Sequence, residues 1–139
     1  MTSHKMSVPI RPVMDPLSET FWASLREKQV TLQECSECAR LRFPPYPSCP
    51  YCGSDNGAWV PVSENARLYS WVVVHAPISP DLKNDVPYVV GLVQLDDGPR
   101  MIGRVIGCDV EELKREMPVR FHYHKVDSEL TLLVFEAGH

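Results

Sequence analysis

A chain of 139 residues, 44% hydrophobic and 23% charged, can remove roughly two thirds of its unfolded surface from water, so a folded core is expected and general disorder is excluded. Its formal net charge of −4 supplies no broad basic field, which disfavours nucleic acid as a partner. No apolar run reaches the roughly 18 residues of a membrane span, and the first sixteen positions carry histidine, lysine and prolines where a signal peptide needs an apolar stretch; a cytoplasmic protein with no membrane partner is expected.

Residues 1–32 are read as an arm and an amphipathic helix. Asp15 can cap, Pro16 suits the first helical position, Leu17, Phe21, Trp22 and Leu25 recur at helical spacing, and Lys28 stands in the last turn. The helix is therefore expected over residues 16–28. Phe21 and Trp22 are candidates for docking a partner, because aromatic residues are enriched in interface hot spots and an isolated helix this short is marginal in water. Covering the chain's own barrel is the competing role.

Residues 33–57 are too rich in Cys, Pro, Gly and Ser to build a core and would form a loose loop unless a metal tied them. Four of the five cysteines lie here, as Cys35-x2-Cys38, ten further residues, and Cys49-x2-Cys52. Such clustering suits a metal site in a reducing compartment better than a disulfide framework. A CxxC pair on a tight turn lets two thiolates reach one tetrahedral ion, and two such turns complete four Zn–S bonds of about 2.3 Å. Four thiolates leave no open position, so the ion serves structure. Zinc is the expected ion and rubredoxin-type iron its alternative, separable by colour. Gly53 can take the positive φ that follows such a pair; Ala39 occupies the matching place after the first.

Residues 58–139 have β grammar. Trp59 opens the segment, and apolar, β-branched and aromatic runs recur at residues 67–76, 88–95, 100–106, 119–126 and 130–136. Asp96-Asp97-Gly98-Pro99 signals one hairpin and Asp127-Ser128-Glu129 another. Asp109 with Glu112 three residues later fits a capping box, so a short helix is expected between the third and fourth strands. Three strands, a short helix and two strands is the order of an OB-fold barrel. The fold class is accordingly mainly β: N-terminal helix, rubredoxin-like zinc ribbon, five-stranded OB-fold.

Other reactive residues read as structural. Cys108 follows an apolar run with no histidine partner in sequence, as a small buried hydrophobe does. His122 and His124 share a strand face but have no recurring carboxylate near them, and His75 stands apart. Asp96-Asp97 and Glu111-Glu112 suit a turn and a helix start. No Gly-rich phosphate loop or nucleophile elbow is present; no catalytic residue is assigned. The alternative from another class is a single-stranded nucleic-acid module, with Tyr69, Trp71, Tyr88, Phe121 and Tyr123 as stacking platforms. Against it stand the acidic balance and the scattering of Lys and Arg.

Taken together, Phe21-Trp22, the stretch from Leu32 through Cys35, Cys38 and Arg42-Phe43-Pro44-Pro45, then Cys49-Pro50-Tyr51-Cys52-Gly53-Ser54, Trp59, the run from Pro87-Tyr88 to Asp96-Asp97-Gly98, and Ile102-Gly103-Arg104-Val105-Ile106-Gly107 resemble the DUF35 family over nearly the whole chain. Members pair a rubredoxin-like zinc ribbon with an OB-fold and associate with acyl-CoA enzymes. The family often has a basic residue and a glycine where this chain has Tyr46 and Ala39. The resemblance implies a non-catalytic small subunit of a hetero-oligomer. Its partner would be a thiolase-superfamily protein (acyltransferase, thiolase or lipid-transfer-type aldolase), with an enoyl-CoA hydratase as a further partner, and the shared ligand a CoA thioester, steroid side chains included. Under it, Arg42, Phe43, Tyr46 and Arg104 are expected to line a channel for the pantetheine arm, ordering it before reaction.

Overall fold

The computed structural model describes Met6, Val8, residues 10–96 and residues 98–137. The first element is helix α1, Glu19–Arg26, shorter than expected at both ends. The Asp15 carboxylate accepts from the Ser18 backbone N–H at 2.9 Å and its hydroxyl at 2.7 Å, so Asp15 closes a turn containing Pro16 and Leu17 instead of capping the helix. At the other end, Lys28 takes φ 59°, its N–H bonding Leu25 O while that of Gln29 bonds Ser24 O, each at 3.0 Å. This pair of bonds is a Schellman closure, which places Lys28 beyond the last turn.

Three short strands follow: β1 Thr31–Cys35, β2 Leu41–Arg42 and β3 Gly57–Pro61, in the antiparallel order β2-β1-β3. Their residues were expected as the end of the N-terminal arm, as loop, or as the start of the barrel segment; two to five residues each are too few to show a period of two, and only pairing with β1 makes them a sheet. Strands β1 and β3 run across positions 32/33 and 57/58, so the ribbon's sheet borrows residues from both flanks.

The five barrel strands lie within a residue or two of the expected runs: β4 Ala66–Val74, β5 Tyr88–Leu95, β6 Arg100–Ile106, β7 Pro118–Lys125 and β8 Thr131–Ala137. They close in the order β4-β5-β6-β8-β7. Antiparallel neighbours account for the ladders except β6 with β8, which pair in parallel at Val105↔Phe135 and Ile106↔Glu136; this is the OB-fold arrangement. Of the expected hairpin turns, Asp97 lies outside the described residues, while the Asp127 carboxylate accepts from the N–H groups of Glu129 and Leu130 at 2.8 and 2.9 Å. The expected helix between β6 and β7 is a single 3-10 turn, Val110–Glu112, and Asp109 makes no side-chain cap bond there; the capping box does not form.

One hydrophobic core runs through all three parts: Phe21 and Leu25 of α1, Val30 and Leu32 of the ribbon, and Leu68, Val93, Met101, Phe121 and Phe135 of the barrel. Inward-facing Gly91 and Gly103 sit opposite each other on β5 and β6. A Cβ on Gly103 would meet Phe135 Cε2 at 2.9 Å, so the glycine makes room for that fully buried ring.

Candidate metal centre and surrounding cavities

Each cysteine pair sits on its own turn, and the two turns are built alike. Cys35 N–H donates to Arg40 O at 3.0 Å and its carbonyl accepts from Ala39 N–H at 3.0 Å; Cys49 N–H donates to Ser54 O and its carbonyl accepts from Gly53 N–H, both at 2.8 Å. Positive φ follows each pair, 64° at Ala39 and 81° at Gly53. These turns bring the sulfurs of Cys35, Cys38, Cys49 and Cys52 within 4.8 Å of one another, with Cys35···Cys52 at 3.5 Å and Cys38···Cys49 at 3.6 Å. Zn–S bonds of about 2.3 Å in a tetrahedron place sulfurs roughly 3.8 Å apart, so the set fits a closed tetrathiolate site. The electrostatics agree. The Cys38 backbone N–H, seconded by that of Glu37, holds the Cys35 thiol down to about 6. Cys52 is pushed up to about 12: the Ser54 N–H lowers it, but the neighbouring Cys35, Cys49 and Cys38 sulfurs, together with burial, outweigh that bond. Four sulfurs this close cannot all ionise unless a cation offsets their repulsion, and zinc bound there would supply that charge and tie the two turns together. Cys35 and Cys49 are buried, Cys38 is half-buried and Cys52 exposed.

Of the four residues expected to line one channel, Arg42, Phe43 and Tyr46 share one segment and Arg104 lies elsewhere. Arg42 is only 4% exposed; its Nε donates to Gln33 Oε1 at 3.1 Å and its Nη2 to Tyr46 O at 3.3 Å, while Tyr46 N–H donates to the same Gln33 oxygen at 2.9 Å. Arg42 therefore fixes the loop from beneath. Composition gave no hint of this, because the partner is Gln33, whose burial only the β1–β2 pairing creates. Tyr46 is exposed. Phe43 is half-buried, its ring 5.3 Å from that of Phe21, and the two line a cavity of about 320 Å³ with Val13, Leu17, Trp22 and Pro45. Arg104 lies elsewhere, 4.1 Å over the Tyr88 ring and 3.4 Å from the Asp85 carboxylate, at the edge of a second cavity of about 650 Å³ that also reaches Cys108, Asp109 and Glu112. Of the docking pair, Phe21 is 6% exposed and belongs to the core, and Trp22 packs partly buried beside it.

Burial, followed by Glu112 and Asp109, pushes the Cys108 thiol up, the opposite of what a nucleophilic thiolate needs. His122 and His124 are partly buried on β7; burial, then His122 and Arg104, pulls His124 below the usual imidazole value.

Two family models match, the ChsH2 rubredoxin-like zinc ribbon domain over residues 22–56 and the ChsH2 C-terminal OB-fold domain over residues 59–124. A solved structure, Ltp2-ChsH2(DUF35) aldolase, superposes with a TM-score of 0.81 at 33% identity, covering 91% of this chain and 98% of that one. A DUF35 domain-containing scaffold protein of Pyrococcus furiosus is 32% identical over 76% of this chain and 77% of its own length.

The chain belongs to the DUF35 family.

Two longer relatives carry a matching region. A probable enoyl-CoA hydratase alpha subunit of Thermomonospora curvata is 34% identical over 90% of this DUF35 chain, and the 3-oxo-4,17-pregnadiene-20-carboxyl-CoA hydratase alpha subunit of Mycobacterium tuberculosis 32% identical over 82%. The DUF35 chain spans 39% and 36% of their respective lengths. Among the described residues no helix is long and apolar enough to cross a membrane.

Proposed function

We propose that this chain is a cytoplasmic, non-catalytic accessory subunit that docks on an acyl-CoA enzyme, a thiolase-superfamily protein such as a lipid-transfer-type aldolase, with an enoyl-CoA hydratase as a further partner and steroid side chains on CoA among its substrates. The observation that carries the reading is a rigid platform with one apolar side left open. Strand β1 carries Leu32 in the core shared by helix and barrel and Cys35 in the four-cysteine cluster, so it links the two. Beside that helix Val13 and Leu17 are exposed, Val13 at 82%, and line a cavity with Phe21, Trp22 and Phe43. An aromatic-floored cavity rimmed by apolar side chains suits an interface anchor. The scaffold protein, the two hydratase alpha subunits and the Ltp2-ChsH2(DUF35) aldolase among its relatives support the same role.

Phe43 and Tyr46 are placed along the pantetheine arm of the shared thioester, Arg42 holds their loop rigid, and Arg104 flanks a separate part of the surface. Copurification from the native host, with mass spectrometry of the bound proteins, tests the reading: an acyl-CoA enzyme is expected, and Val13→Asp with Leu17→Asp should release it while the melting temperature holds. Turnover of a CoA thioester by the purified chain alone would refute a non-catalytic role. In the complex, Tyr46→Ala should raise KM for the acyl-CoA several-fold with little change in kcat; an unchanged KM removes Tyr46 from the path.

A further inference from the structure

We propose that Tyr69, Arg100 and Arg115 form a binding site for the phosphate group of a nucleotide on the outer face of the barrel. Arg100 Cζ lies 3.8 Å and Arg115 Cζ 5.0 Å from the centroid of the Tyr69 ring, so one ring keeps two positive charges within roughly a Debye length, about 10 Å at 0.1 M salt. Neither guanidinium forms an ion pair with a described carboxylate, although acidic residues outnumber basic ones, 18 to 14. Arg104 on the same strand shows the contrast: it too stacks on a tyrosine, but Asp85 offsets its charge.

The site is held in place by the backbone. The ladder between β4 and β5 slips between Leu68 and Ser70, a bulge that re-aims Tyr69. Leu68 N–H donates to Met117 O at 2.9 Å and Leu68 O accepts from Glu116 N–H at 2.7 Å, which latches the segment bearing Arg115 against the bulge. Gln94 is opposite Arg100; its amide donates to the carbonyls of Leu95 and Gly98, and its oxygen accepts from Arg100 Nε at 2.9 Å. Arg100 is thus fixed through Nε, and among the described residues its two terminal nitrogens have no hydrogen-bond partner. Planar guanidinium forks bind phosphate oxygens in pairs. The adjoining cavity of about 430 Å³, lined by Tyr69, Ser70, Trp71 and Arg115, is larger than a phosphate ion and offers aromatic and guanidinium faces on which a base can stack. The phosphate can come from the nucleotide end of a CoA thioester or from a single nucleic-acid strand.

The zinc-loaded chain is titrated by calorimetry with coenzyme A, pantetheine, inorganic pyrophosphate and a labelled single-stranded oligonucleotide. Binding of coenzyme A or the oligonucleotide, weakening with salt, is expected, together with none of pantetheine. Arg100→Ala and Arg115→Ala should each weaken it about ten-fold, and Arg120→Ala, whose native side chain pairs with Glu136, should not. Which ligand binds tighter identifies the source. Binding that is equal in all variants, or that pantetheine matches, overturns the proposal, as does none by either phosphate-bearing nucleotide. Because these readings use the chain alone, they stand or fall separately from the copurified enzyme.

Discussion

Ala39 holds φ at 64° where Gly53 holds 81°, and the two positions do the same work, each donating its N–H back to the first cysteine of its pair. A Cβ in the left-handed region costs roughly 1–2 kcal/mol. Ala39→Gly should therefore stabilise the zinc-loaded chain by about 1 kcal/mol, read as a raised urea midpoint at unchanged slope; a lowered midpoint would mean that the turn carries no strain. The reverse logic applies inside the barrel. Gly103→Ala sets a methyl group against the Phe135 ring, and overpacking of that kind costs about 1–3 kcal/mol, so its midpoint should fall.

The hairpin between β7 and β8 turns on one carboxylate. Asp127 accepts the backbone N–H of Glu129, then an Arg11 side-chain bond and the N–H of Leu130, and these hold its pKa below the ordinary carboxylate range. Because the folded value is depressed, its contribution is fully present above the unfolded value, about 3.9, and is lost as pH falls through the folded one. Asp127→Asn keeps an acceptor oxygen without the titration, so the variant should lose less melting temperature than the parent between about pH 5 and pH 3; equal losses would show that the turn does not sense acid. Helix α1 is anchored on the same turn by Arg26, which donates to Glu129 O at 3.1 Å. Its apolar stripe was legible, since Phe21 and Leu25 do face inward. Its ends were not, because Asp15 and Lys28 have the right identities for helix termini yet spend them on a preceding turn and a left-handed residue. The same failure recurs at Asp109.

At the scale of the molecule, the ribbon is expected to depend on its ion and the barrel to hold without it. Chelation should abolish hydrogen-exchange protection at the amides of Cys35, Ala39, Cys49 and Gly53 while β5 keeps its own, and Cys49→Ser should do the same without chelator. Retained protection in both would show that the turns hold without metal. A colourless holoprotein is expected for zinc, a red one for iron.

Spacing alone located the metal ligands, Cys35, Cys38, Cys49 and Cys52, because a CxxC turn is a local object whose geometry is set by consecutive residues. The five barrel strands were legible for a similar reason: runs such as Tyr88–Leu95, buried at every other residue, carry their period within themselves. What tertiary structure alone decided was everything held by distant partners. Arg42 became a buried strut because Gln33 lies opposite it on β1, Phe21 joined the core because α1 packs on the barrel while still flooring the cavity beside the helix, and Arg100 and Arg115 came to share a tyrosine through a bulge and a latch that no neighbouring residues encode.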